Sequence, residues 1–249
     1  AAVILLLSAA VILKYTALDY NGLDLAIYTQ VLWNTVHGAP FAFSVHPHSY
    51  LGDHMELILV FVAPFFTVIQ HPLTLLLIQV LALVSSAWPA WLLFRTRLSP
   101  AMSGFLTIGL LINPFLWNSA LFEFHALSFA LPLLFWLVYM YETKRLRFFL
   151  LLSVATVLVR VDMGLVVASM GVVALLERRD LRWISLPIIL GGAWFLGATH
   201  ISGILNGYGS YKFLAYYGHL GSSVGGILQN IATHPWILLQ ALVGPRAIL

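Results

Sequence analysis

The chain has 249 residues, of which 61% are hydrophobic and 8% charged, where a soluble domain carries roughly 25% charged residues. That composition excludes a soluble globular enzyme. The net charge of +3 comes from bases in short clusters between apolar runs, a pattern of membrane topology and not of nucleic-acid binding, and with no cysteine there is neither a disulfide nor thiol chemistry. The expected class is all-α, a polytopic integral membrane helix bundle, because several apolar runs approach the ~20 residues that cross a bilayer.

In chain order, residues 1 to 16 read as the remainder of a first transmembrane helix and not as a signal peptide, since no small-residue cleavage site follows. The chain begins without Met and stops at Ala-Ile-Leu, and 1–249 reads as one transmembrane domain cut from a longer protein. Residues 17–71 form an external loop. Within it GLDLAIYTQVLWNTVHG, residues 22 to 38, places Leu25, Tyr28, Leu32 and Val36 on one helical face and Gln30, Asn34 and His37 on another. The expectation is an interfacial helix whose apolar stripe sinks into the headgroup boundary. Asp24 heads it, either as an N-cap or as an acid held at the depth of a lipid phosphate.

HPHSYLGDHME, residues 46 to 56, packs His46, His48, Asp53, His54 and Glu56 into eleven positions. That density suits a divalent metal, with Asp53, His54 and Glu56 as ligands, or a phosphate; the alternative is a polar loop at headgroup level. Residues 54–70 follow as an apolar stretch containing Pro64. Placing them along the interface, not across it, puts Arg95, Arg97, Lys144, Arg145, Arg147, Arg178, Arg179, Arg182 and Arg246 all on the cytoplasmic side. Spans are then expected at 72–94, 101–119, 126–142, 148–160, 162–176, 183–203 and 226–245.

The consequence is asymmetry. Nine of twelve bases become cytoplasmic, while all nine His and six of nine acids fall outside or in outer helix halves. Ionisable groups at membrane depth are costly and mark function. FEFH, residues 122 to 125, sets Glu123 and His125 at an outer junction of two spans, as ligand contacts or as a wet loop tip. VRVDMG, residues 159 to 164, sets Arg160 and Asp162 between two short helices, facing a water-filled cavity or simply paired against burial. Residues 204–225 form a further external loop rich in Tyr and Gly, with Lys212 as its cation.

An external first loop with an early acid, interfacial helices and polar clusters resembles the GT-C superfamily of membrane glycosyltransferases, which use lipid-phosphate sugars. More closely, LDLAIYTQVLWNTVHG, YLGDHMELIL, LFEFHALSFALP and VLVRVDMGLV are similar to a family of prokaryotic membrane proteins known as domain of unknown function 2079. The first resemblance implies a polyprenyl-phosphate sugar donor and an inner-membrane protein with its functional face external or periplasmic. In GT-C enzymes a second acid or a base follows the first-loop acid. Leu25 follows Asp24 here, so the resemblance implies a single carboxylate.

Together these readings make Asp24 the general base. Arg160, with His54 or Lys212, would stabilise the phosphate leaving group, while Glu123, His125 and Asp162 would position sugar or phosphate. No nucleotide is implied, because no Gly-rich phosphate loop is present; a divalent metal stays open. Membrane lipids and other membrane subunits are the expected partners, and nucleic acid is not. Two rivals remain: a non-catalytic subunit of a larger membrane complex, in which the acids lie in separate surroundings, and a transporter built on Arg160 and Asp162.

Overall fold

The computed structural model describes residues 1–237 and 240, and the described residues are helical and turn structure without strands. The helices are α1 (Ala2–Thr16), α2 (Leu23–Val36), α3 (Tyr50–Asp53), α4 (Leu59–Val68), α5 (Pro72–Ser85), α6 (Ala87–Arg95), α7 (Pro100–Leu111), α8 (Pro114–Leu121), α9 (Ala130–Glu142), α10 (Leu146–Val157), α11 (Met163–Leu176), α12 (Leu181–Leu205) and α13 (Val224–Thr233). Short 3-10 turns occupy Ala126–Phe129 and Lys212–Tyr217. α5 and α6 run on as one helix, Pro72–Arg95, and this helix and α12 are each long and apolar enough to cross a membrane.

Three helix starts share one local cause. Proline fixes the backbone at the first helical position and lacks the N–H that would go unpaired there. Before Pro72, His71 Nδ1 accepts the Leu73 N–H at 3.2 Å; before Pro100, Ser99 Oγ accepts the Met102 N–H at 3.3 Å; before Pro114, Asn113 Oδ1 accepts the Phe115 N–H at 2.8 Å. The last of these breaks the expected span 101–119. α7 and α8 meet at a 41° bend and could together make a third crossing. Pro114 cannot donate back to the preceding turn, so the chain turns at Asn113.

α4 is short. Its ten residues rise about 15 Å, half of the ~30 Å hydrocarbon core. The expected span 226–245 lies partly outside the described residues, at 238, 239 and 241–245; within its described part α13 ends at Thr233 and does not continue as one helix.

α11 and α12 pack backbone to backbone. A Cβ on Gly164 would stand 2.6 Å from the Gly191 carbonyl oxygen, so only small residues allow this approach. α9, α11 and α12 together define two ends of the bundle. One holds Gly52, Arg160, Asp162 and Asn206. The other holds Lys144, Glu177 and Asp180.

Candidate functional site

α2 departs from the expectation on both faces. Leu25, Tyr28 and Leu32 are buried in the main core with α1, α4 and α5 residues, so the stripe packs on protein and not into headgroups. An apolar stripe is covered equally well by either, and α4 and α5 are the nearer partner. The polar face pins the loop that follows: Gln30 Oε1 accepts from the Ser44 backbone N–H and hydroxyl, and Asn34 Nδ2 donates to the Ala42 carbonyl.

Asp24 is not the cap. The N-cap of α2 is Gly22, at φ 85° and without a side-chain bond, and Asp24 sits one residue inside the first turn. The capping oxygens come from a distant residue. Glu123 Oε1 accepts the Gly22 N–H at 2.9 Å and Oε2 accepts the Leu25 N–H at 2.8 Å. A buried carboxylate at a helix N-terminus answers two orphan donors and the positive end of the helix dipole at once. Glu123, expected to touch substrate, is thus committed to the fold.

That commitment releases Asp24 from capping, its side chain 43% exposed and 3.4 Å from His125 Nε2. His125 Nδ1 lies 2.9 Å from the Glu123 carbonyl, which only accepts, so Nδ1 carries a hydrogen. Both ring nitrogens therefore face oxygen atoms of the protein. Gln79 on α5, wholly buried, organises the connection. Its Nε2 donates to the Ser119, Phe122 and Glu123 carbonyls, and its Oε1 accepts from the His125 N–H and the Ser128 hydroxyl.

A buried polar bridge runs from this pair toward the second cluster. Tyr28, 5.8 Å from the His125 ring, and Tyr50 both donate to Glu56 Oε2, at 2.9 and 2.8 Å. Burial raises the Glu56 carboxyl pKa, against the pull of the two hydroxyls, and burial beside Glu56 drives both phenols well above 10. Tyr50 in turn lies 5.4 Å from the His54 ring, which Phe213 approaches from 5.5 Å.

Around His54 the cations are already partnered. Lys212 Nζ stands 2.9 Å from Asp53 Oδ1, with His46 and His48 at 3.5 and 3.8 Å from the same carboxylate. Arg160 forms a two-pronged pair with Asp162, both bonds 2.6 Å. Burial first, then the Lys212 and Arg160 charges, lower the His54 pKa from 6.5 to about 4. His54 is neutral at pH 7 and brings no positive charge to a phosphate.

The trio Asp53, His54 and Glu56 does not converge as metal ligands. Asp53 is held by Lys212 and Glu56 by the two tyrosines, and among the described residues no group of three His, Asp or Glu side chains could hold a metal ion. The residues fall into two neighbourhoods, Asp24–His125–Glu123 and Asp53–His54–Lys212, joined through Tyr28, Glu56 and Tyr50.

Beside His125 lies a cavity of about 530 Å³ between α5, α7, α8 and the Ala126–Phe129 turn. Gln79, Asn113, Asn118, Ser119, His125 and Ser128 supply its polar lining, and leucines with Phe115 and Phe122 the remainder. A family model described as "Predicted membrane protein (DUF2079)" matches residues 14–248. The chain belongs to this family. No curated protein and no solved structure matches it. The match of the DUF2079 model spans every residue of both neighbourhoods, and the protein is a membrane protein by family and by its apolar helices.

Three residues of the DUF2079 chain's site belong to none of the polar clusters that stand out in the sequence. Tyr28 and Tyr50 looked like core or loop aromatics. Gln79 is the one amide inside the apolar run 72–94, and an amide at membrane depth is a signal in itself.

Proposed function

We propose that the chain is a membrane glycosyltransferase that takes a sugar from a polyprenyl-phosphate donor and passes it to an acceptor hydroxyl on the external face of the inner membrane. The observation that carries this reading is the release of Asp24 from capping: Glu123 occupies both N–H groups, and the Asp24 carboxylate is left half exposed beside His125. A half-exposed carboxylate whose partner is His125 is open to take a proton.

In the reaction the acceptor oxygen attacks the anomeric carbon and its proton passes to Asp24. The bond from that carbon to the phosphate oxygen breaks, and its electron pair leaves on the phosphate. A single displacement inverts the anomeric centre and needs no nucleotide. His125 orients Asp24. Arg160 and Lys212 exchange Asp162 and Asp53 for the phosphate oxygens, since a fork and a point charge both suit a developing dianion. His54, neutral, contributes a hydrogen bond and no charge. The largely apolar cavity next to His125 is of a size to take part of a hydrocarbon chain.

Two observations favour one rival: Asp24 and Glu123 lie in a different neighbourhood from Asp162, and the cations near His54 are paired. In a non-catalytic subunit, Arg160–Asp162 and Lys212–Asp53 would be lasting structural links. Purified protein in liposomes, given a radiolabelled polyprenyl-phosphate sugar pool and membrane extract as acceptor, separates the two. Label leaving the lipid for an acceptor is the expected result; no transfer by stable protein supports the subunit.

A further inference from the structure

A second cavity, of about 430 Å³, opens at the other end of the bundle, lined by Lys144, Glu177, Arg178, Arg179, Asp180 and Trp183. α12 starts beside it and runs 25 residues to the Gly52 cluster, so about 36 Å of helix separates it from the site above.

α9 and α11 end at this cavity in the same way. The Arg145 N–H bonds to the Met140 carbonyl and the Lys144 N–H to Tyr141; the Arg179 N–H bonds to Ala174 and the Arg178 N–H to Leu175. Each is a Schellman motif, in which the residue after the cap is left-handed and glycine is the unstrained choice. Lys144 takes φ 57° and Arg178 φ 55° instead. Leu18 ends α1 with the same conformation, at φ 58°, so strain alone marks no site. What sets this end apart is that both strained residues are cations on the lining of one cavity.

The other lining charges are largely committed. Arg179 donates to Glu177 at 2.7 Å and to the Tyr141 carbonyl at 2.7 Å, with its guanidinium 3.5 Å over the Tyr141 ring. Glu177 also accepts the Tyr141 hydroxyl at 3.0 Å. Lys144 and Arg178 are exposed, and among the described residues neither makes an ion pair or side-chain hydrogen bond. Asp180, also exposed, is the lone uncommitted carboxylate.

We propose that this cavity binds a phosphate-bearing headgroup, with Lys144 and Arg178 as its two cations and Trp183 as a flat wall. Basic pockets between membrane helices take anionic headgroups by direct charge pairing at the interface, where the apolar lipid body can stay in the bilayer. Arg178 offers a fork to two phosphate oxygens, and Lys144 a point charge to a third.

The test is the pair Lys144→Gly with Arg178→Gly in the full chain. Glycine removes both charges and also relieves both left-handed positions, so a purely structural role would be improved by the change. Retention of phosphatidylglycerol from mixed phosphatidylglycerol–phosphatidylcholine micelles is followed by native mass spectrometry, and binding of inorganic phosphate by calorimetry. Arg147→Gln with Arg182→Gln, the same loss of charge outside the cavity, is the control. The expected result is an unchanged or higher melting temperature, with binding weakened at least about tenfold in the glycine pair and little changed in the control. Tighter lipid than phosphate binding makes the ligand a membrane lipid; the reverse makes it a soluble phosphate ester, and either supports the site. Equal loss in both pairs, no loss in the glycine pair, or no binding of either probe by the parent protein overturns it.

Discussion

Glu123 and Asp24 sit at the same helix end and divide its work. Two backbone N–H groups bond to Glu123 at 2.9 and 2.8 Å. An amide in its place keeps one acceptor and turns an NH2 toward the other donor, leaving it unpaired in a buried place. Glu123→Gln is therefore expected to lose about 2–3 kcal/mol of stability, read as a lower melting temperature. A change within error would show that water, not Glu123, serves the helix end. His54 gives the residue scale a pH signature. Its pKa falls from 6.5 to about 4 on folding, so below pH 6.5 the unfolded chain takes up a proton that the folded chain refuses. Stability is complete above pH 6.5 and declines as pH falls toward 4, by up to about 3 kcal/mol. Melting curves of parent and His54→Gln protein across that window should converge toward low pH, because glutamine does not titrate. Parallel curves would mean that His54 is not held neutral.

At the scale of elements, one amide ties α5 to the connection that carries both Glu123 and His125. Gln79→Leu removes five hydrogen bonds at a wholly buried position and strands their partners. A loss of about 3 kcal/mol or more is expected, with Asp24 activity falling alongside because His125 is no longer placed. Thermal unfolding of detergent-purified protein measures it, and a loss under about 1 kcal/mol would remove Gln79 from this role. Much of the element plan was legible in the chain. Apolar runs place most helix starts to within about two residues, those of α5 and α7 among them. The break at Asn113–Pro114 was written in the sequence as well, but an apolar run on both sides concealed it. What could not be read was which surface covers the α2 stripe, since protein and lipid select the same side chains. Nor could the capping of α2 by Glu123, 101 residues away along the chain from Gly22, be found from local pattern, because capping rules look only to neighbours in sequence.

For the whole molecule, the expected arrangement sets two chemically unlike ends on opposite sides of the membrane, with Asp24, His54 and Arg160 at one and Lys144 and Arg178 at the other. The chain has no cysteine, so single cysteines report side cleanly. Gln70→Cys is expected to react with an impermeant thiol reagent in intact cells, and Arg147→Cys only after permeabilisation; the reverse pattern would invert the topology. The catalytic assignment itself turns on one carboxylate. Because Glu123 does the capping, Asp24→Asn should change the melting temperature little. An amide cannot take the acceptor's proton, so transfer from radiolabelled polyprenyl-phosphate sugar should fall by roughly 10²- to 10⁴-fold. Asp24→Asn protein that is stable and transfers sugar at the parent rate would contradict the assignment of Asp24 as the base.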